Sequence, residues 1–324
     1  MSIDLPGANR ARIVGSDAIY LDGEHDRIPI RFMGHCDAAG AGTQPKAITN
    51  WEAFEGALLN IEVRGAQESC IIGSAAMIAP GLAVTANHLF DDRTLSDLDA
   101  GDGSLFVTGI RSNCVDQWGV RNLCYDKHEI AYLSLEIMSE LSAGWSFSQF
   151  GISTRCPDEG ERLTVVGSRF GPMELTPEGS PKFGGEVYAA VGEVECAYFP
   201  FRLGTRPYPV ISLHCETLGA MSGGPVFDDD GLLLGVVSRG LHEHTDVAWI
   251  VGGMNRAVRI PWPTGLYEPD SVRVMDIDPR ILQIKGREAL TTSGLTTNYR
   301  SWPTSARICD PESEPVDRGG GWLP

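Results

Sequence analysis

Residues 221–240 read MSGGPVFDDDGLLLGVVSRG. A serine is followed by two glycines and a proline, and then by two apolar runs joined at an Asp-Gly step. Pro225 bars a helix from following Ser222 at once. Asp-Gly between apolar runs is a hairpin signal. Gly223 and Gly224 permit a tight turn and a close approach of backbone to backbone. The stretch therefore reads as an exposed turn feeding a β-hairpin. Ser222 is then either a plain turn residue or a side chain held out for chemistry.

The apolar runs elsewhere have the same scale. ALLNIEV (57–63), SCIIGSAAMI (69–78) and LAVT (82–85) read as strands, separated by turns at RGAQE (64–68) and APG (79–81). SLFVTGI (104–110), EIAYLSLEI (129–137) and RLTVVGS (162–168) follow. GEVYAAVGEVECAYF (185–199), PVISLHCE (209–216) and DVAWIVGGM (246–254) complete the set, with RIPIRFM (27–33) as one more candidate. About a dozen short strands at short intervals imply an all-β chain of sandwiches or barrels, not alternating βα units. The 38 glycines and 20 prolines supply the turns. From Pro261 the chain is rich in Pro, Asp and Thr and reads as a surface extension. A helix is expected near Pro279–Leu290, and the final DRGGGWLP reads as a loose tail.

A formal charge of −17 over 324 residues argues against nucleic acid, whose phosphates need clustered Lys and Arg, and against an anionic membrane. No segment approaches the length of a membrane span. The start, MSIDLPGANRARIVG, lacks the apolar core of a secretory signal. The 8 cysteines are scattered, with no CxxC pair. Reduced, mostly buried thiols and a cytoplasmic location are the expectation. His35-Cys36 has no partners at metal-ligand spacing, and phosphate-loop glycines are missing, so no metal or cofactor is expected.

As a nucleophile, Ser222 needs a base to take its proton and N–H donors aimed at the oxyanion that forms on the substrate carbonyl. His88 stands out among the 7 histidines. It closes GSAAMIAPGLAVTANHLF (73–90), where Ala-Pro-Gly joins two strands and the chain turns at Thr85–His88.

That segment resembles the "GSGF-I-P-G-VLTAAH" segment of trypsin-like serine proteases. MSGGPVFDDDGLLLGVVSRG resembles their "DSGGPL…G-L-GIVSWG" segment, and HEIAYLSL (128–135) resembles "NDIALLKL". The segments occur in the family's order of His, acid and Ser. The match covers roughly residues 51–260 and is closer to bacterial members with "GMSGGP" or "GNSGGP" than to digestive ones. The resemblance implies two packed six-stranded antiparallel β-barrels of the chymotrypsin type with N- and C-terminal extensions. Residues 1–50 would be the N-terminal extension, 51–150 the first barrel with the His and the acid, 151–260 the second barrel with the Ser, and 261–324 the C-terminal extension. It implies a serine endopeptidase acting on protein or peptide substrates through an acyl-enzyme. Ser222 would attack, His88 would carry the proton, and the amides of Ala220 and Ser222 would form the oxyanion hole.

The chain departs from the family pattern in four places. Glu129 stands where the family has Asp, and its extra methylene moves the carboxylate by more than ~1 Å. Asp126 is the alternative acid. Met221 replaces the Asp that pairs with a cleaved N-terminus, so activation by that salt bridge is not expected. Regulation then falls to the N-terminal segment, the C-terminal extension or a regulatory protein partner. Ala220 replaces a Gly, and strain there would collapse the oxyanion hole until substrate binds. Leu89 follows His88 where secreted relatives often have Cys.

By the same resemblance, Glu216 and Thr217 form the base of the pocket for the residue before the cut. Ser238-Arg239-Gly240 form a wall, with Ser238 also supporting the acid. A buried Glu216 would favour Lys or Arg, and an inward Arg239 would favour Asp or Glu, aided by His242 and His244. If both point inward, they neutralise each other. Two rival readings exist. A nucleophile elbow of an α/β-hydrolase needs a helix after Ser222, which Pro225 opposes. An inactive protease homologue serving as a protein-binding module or scaffold is compatible with Glu129 and Ala220.

Overall fold

The computed structural model of the protein describes residues 11–13, 30–33, 41–49, 52–65, 69–90, 103–111, 114–125, 128–141, 145–170, 174–175, 181–182, 184–199, 201–202, 206–260, 271–293 and 296–299. Among them the only helices are short 3₁₀ turns. None is long and apolar enough to cross a membrane.

Twelve strands make two barrels. The first contains β1 (Leu58–Gly65), β2 (Ser69–Ala79), β3 (Leu82–Ala86), β4 (Gly103–Ile110), β5 (Val115–Cys124) and β6 (Ile130–Ile137). Their order is β5-β4-β1-β2-β3-β6, closed by antiparallel pairing of β5 with β6. The second contains β7 (Arg162–Phe170), β8 (Gly185–Tyr198), β9 (Val210–His214), β10 (Pro225–Phe227), β11 (Leu233–Leu241) and β12 (His244–Trp249). Their order is β10-β7-β8-β9-β12-β11, closed by β10 with β11. The two rings have the same connectivity. Closure removes the sheet edges that would otherwise expose unpaired backbone.

The strands read from sequence are present. β5 was not among them, because Asp116, Gln117, Arg121 and Asn122 interrupt its apolar run. Inside the barrel, Asp116 is buried and its carboxylate accepts from Arg111 Nε at 2.6 Å and Trp145 Nε1 at 2.9 Å. β5 also contributes Trp118, only 1% exposed, to the core. β6 is buried along its whole length, as its near-continuous apolar sequence implies. One face lines the barrel, and on the other Ser134 Oγ donates to the Arg259 carbonyl at 2.6 Å.

The barrels meet through an aromatic and a polar contact. Phe54, Phe150 and Phe227 cluster with ring centroids 4.8–6.4 Å apart. Ser74 on β2 accepts from the Ser168 amide of β7 at 3.1 Å and donates to the Ala220 carbonyl at 3.2 Å. Ser168 Oγ in turn donates to Asn60 Oδ1 on β1. Every member of this buried polar group has a partner, which is what makes it tolerable in a core.

Parts of both flanking regions belong to the sheets. Lys46–Ile48 pairs with β8, and Ile30–Met33 runs parallel to Phe147–Phe150. The helix expected near Pro279–Leu290 is corrected by the structure. The amides of Ile281 and Leu282 donate to the Asp278 carbonyl at 2.8 and 2.9 Å, a single turn that buries both side chains and does not continue as a helix. Ile284–Lys285 pairs in parallel with Ile152–Ser153, and Gly286 at φ +85 turns the chain into a 3₁₀ turn at Arg287–Ala289. The expected strand start at residues 27–29, His35-Cys36 and the C-terminal tail lie outside the described residues.

Candidate active site

His88 sits in the 3₁₀ turn Asn87–Leu89 that follows β3. β3 pairs with β6 so that Ala86 faces Ile130. The Asn87 amide extends the pairing by donating to the Glu129 carbonyl at 2.7 Å. The end of one strand and the start of the other therefore deliver His88 and Glu129 to the same corner. His88 Nδ1 and Glu129 Oε1 are in hydrogen-bonding contact. Glu129 is buried, whereas the His88 side chain is 42% exposed. Asp126, the alternative acid, lies outside the described residues.

Glu129 is held from the other barrel as well. Ser238 Oγ donates to the same Oε1 at 3.2 Å. Ser238 is the extra residue of a bulge in β11, between Val237, which pairs with Val247, and Arg239, which pairs with Asp246. A bulge re-aims a side chain out of the ladder, and here it turns the hydroxyl towards the first barrel. Tyr208 OH lies 2.9 Å from Ser238 Oγ. Ser238 has one proton and gives it to the carboxylate, so Tyr208 donates to Ser238. Burial and the nearby negative Glu129 push the Tyr208 phenol up to about 12, so it stays a donor. Tyr208 was missed in the sequence. It lies outside all three quoted motifs, and nothing but its aromatic ring in a Pro-Tyr-Pro step marks it.

Ser222 follows the 3₁₀ turn Gly219–Met221, at φ −52 and ψ 135. Its carbonyl accepts from the Ser74 amide at 2.8 Å, which pins the turn to the barrel that carries His88. Gly223 has φ +78, and a Cβ on it would lie 2.1 Å from Thr85 Oγ1 and 2.2 Å from the Ser74 carbonyl. Only glycine fits there. That Cβ would also lie 3.1 Å from Leu89 Cδ1, the neighbour of His88. The sequence motifs at 88 and 222 thus meet across the barrel junction. The Ser222 hydroxyl itself makes no hydrogen bond with a described residue.

Of the two amides expected to act as oxyanion donors, those of Ala220 and Ser222, the second is turned into its own 3₁₀ turn. The Ser222 amide points back to the Gly219 carbonyl at 3.5 Å, and the Met221 amide donates to Leu218 at 2.8 Å. Among described non-glycine residues only His242 has positive φ, so Ala220 keeps an ordinary backbone. The turn is in a closed form.

Glu216 and Arg239 do not face each other. Glu216 is half-buried and lines a cleft of about 270 Å³ with Lys46, His214 and Glu243. Arg239 is exposed and lines a second cleft, of about 470 Å³, with Glu195, Arg202, Arg206 and Asp246. Neither cleft is lined by His88, Glu129 or Ser222. Thr217 lies against Gly240, whose added Cβ would fall 2.3 Å from Thr217 Oγ1. Thr245 Oγ1 donates to the Cys215 carbonyl at 2.9 Å beside it. His242 is at the tip between β11 and β12 and is exposed.

Residues 73–236, from within β2 to within β11, match the family model described as a trypsin-like peptidase domain. The chain belongs to the trypsin-like peptidase family. Its barrels are the trypsin-like fold of that family, and the protease character of the fold goes with it. Among solved structures, this trypsin-like chain is similar to the Rv3671c protease from M. tuberculosis in its active form. The two are 16% identical over 74% of this chain and 91% of that one, with a TM-score of 0.41. The inactive form of the Rv3671c protease is 18% identical over 62% and 87%, with a TM-score of 0.39. Deg5 is 16% identical over 60% and 85%, with a TM-score of 0.44. No curated protein matches the chain in sequence. Cys70, Cys114, Cys124, Cys156 and Cys215 form no disulfide with a described residue.

Proposed function

We propose that this trypsin-like protein is a serine endopeptidase with Ser222 as nucleophile, His88 as general base and Glu129 as the acid that orients it. The observation that carries the reading is the convergence on Glu129 Oε1: His88 Nδ1 from one side and Ser238 Oγ from the other. A proton on Nδ1 shared with a carboxylate leaves Nε2 with its lone pair, and that is the nitrogen a base needs. In the reaction, Ser222 Oγ bonds to the scissile carbonyl carbon as its proton moves to Nε2 and the carbonyl oxygen takes the negative charge. The C–N bond then breaks, Nε2 returns the proton to the leaving amine, and water repeats the sequence on the acyl-enzyme. The bulge at Ser238 and the donor behind it, Tyr208, hold the longer carboxylate of Glu129 from the far side.

The closed turn sets a condition. With the Ser222 amide aimed at Gly219, the oxyanion lacks one donor, a loss of ~10²–10³ in rate. Substrate or a regulatory protein partner opens the turn. Thr217 beside Gly240, with Glu216 and Arg239 turned to separate clefts, favours a small uncharged side chain before the cut.

The closed turn also favours the second reading, an inactive homologue used as a scaffold. A fluorophosphonate probe separates the two. Labelling of the full chain that disappears in Ser222→Ala and falls sharply in His88→Ala supports the endopeptidase. Absence of labelling, with candidate peptides present, supports the scaffold.

A further inference from the structure

The ring order that joins His88 to Glu129 recurs in the second barrel. There the end of β9 faces the start of β12, with His214 paired to His244. The two imidazole rings are 5.7 Å apart, edge to face. Glu195 comes to the same spot from β8, where it is the extra residue of a bulge between Val194, paired with Leu213, and Cys196, paired with Ser212. His244 Nδ1 lies 3.0 Å from Glu195 Oε1, and the ligand atoms of all three side chains lie within 4.8 Å of one another.

We propose that Glu195, His214 and His244 form a binding site for a divalent transition cation of the zinc class. Two imidazole nitrogens and one carboxylate oxygen suit zinc and its neighbours, not calcium or magnesium, which take oxygen shells. Around zinc, ligands stand about 2.0–2.1 Å from the ion and hence roughly 3.3 Å from each other. The His244–Glu195 separation already meets that spacing. Both histidines are exposed, so a modest ring rotation closes the rest. Ser212 Oγ donates to Glu195 Oε2 at 3.0 Å, which leaves Oε1 for the cation and orients the carboxylate from behind. The neighbouring guanidinium groups do not occupy the carboxylate: Arg206 pairs with Asp246 at 2.8 Å and Arg202 with Asp246 at 3.6 Å. Three protein ligands leave a fourth position for water or a substrate group.

The site staples β8, β9 and β12. Cys215–Thr217 follow His214 directly, and Thr245 follows His244, so the cation would anchor the strands that carry the pocket residues. The site owes nothing to Ser222, and the test is arranged accordingly. The full chain carrying Ser222→Ala is titrated with zinc chloride by calorimetry and by thermal unfolding. The expected result is one equivalent bound with a raised Tm. His214→Ala, His244→Ala or Glu195→Gln weakens binding at least ~10-fold, as even outer partners do, and the double His variant abolishes the Tm shift. Equal Tm of these variants and the parent in chelator checks folding. Binding of unchanged strength in the double variant, which would place the ion on thiols such as exposed Cys70, overturns the proposal. So does the lack of any heat or Tm shift at millimolar zinc.

Discussion

The two barrels place a histidine and a glutamate at the same corner of the same ring, and only one of the two corners is enclosed. In the first barrel, Glu129 is buried because the second barrel closes over it with Ser238 and Tyr208. In the second barrel, the side chains of Glu195 and His244 are 37% and 55% exposed, and no barrel covers them. Connectivity thus brings the end of one strand to the start of another at each corner, and the packing of a neighbour decides what the side chains there can do. An enclosed carboxylate with fixed donors orients an imidazole for proton transfer. An open carboxylate with a second imidazole suits a cation. A bulge supplies a polar side chain at each corner, Ser238 in one and Glu195 in the other.

The sharpest break in this comparison is Glu129→Gln against Glu195→Gln. The first should lower kcat on a peptide substrate by ~10³–10⁴, since the amide selects the wrong imidazole tautomer. The second, assayed in chelator so that no cation is bound at its corner, should leave kcat unchanged. Equal effects would mean that enclosure does not distinguish the corners. Next comes the glycine turn that ties Ser222 to the first barrel. Gly223→Ala forces a Cβ to 2.1 Å from Thr85 Oγ1 at φ +78 and should cost about 3 kcal/mol or more in denaturant unfolding. Gly219→Ala, with open space around it, should leave that stability unchanged.

A smaller effect is expected at the closed turn. If opening needs a backbone that glycine alone adopts freely, Ala220 opposes it by roughly 1–2 kcal/mol. Ala220→Gly should then raise kcat/KM by about 5–30-fold. The smallest concerns the donor behind Ser238. Tyr208→Phe removes one neutral hydrogen bond and should lower kcat by about 2–10-fold. The phenol carries a pH signature. Its unfolded value is near 10 and its folded value about 12, so its contribution to stability is whole below about pH 10 and is lost as pH rises through 12. Phenolate absorbance should show a late-titrating group that Tyr208→Phe removes.

Much of the fold was legible because it is local. Short apolar runs, Asp-Gly and Ala-Pro-Gly turns, and the Ser-Gly-Gly-Pro step each state their structure within a few residues. β5 was not legible, since Asp116 is acceptable in a core only once Arg111 and Trp145 are folded around it. The helix expected near residues 279–290 failed for the same reason. The Ile152–Ser153 edge offers Ile284–Lys285 a strand partner, and that edge comes from far away in the chain. His88, Glu129, Ser222 and Ser238 lie in motifs, so the sequence could name them. Tyr208 and the Glu195–His214–His244 cluster lie in none.

By itself the sequence determined strand content, the glycines that let Ser222 sit against the His88 turn, and the replacement of Asp by Glu129 and of Gly by Ala220. The tertiary structure alone decided that Glu129 is enclosed, that the Ser222 amide turns inward, and that Glu216 and Arg239 face different clefts. Local backbone rules act within a few residues and can be read along a chain. Burial, hydrogen-bond partners and side-chain direction depend on residues far away in sequence, and barrel closure is what brings those residues together.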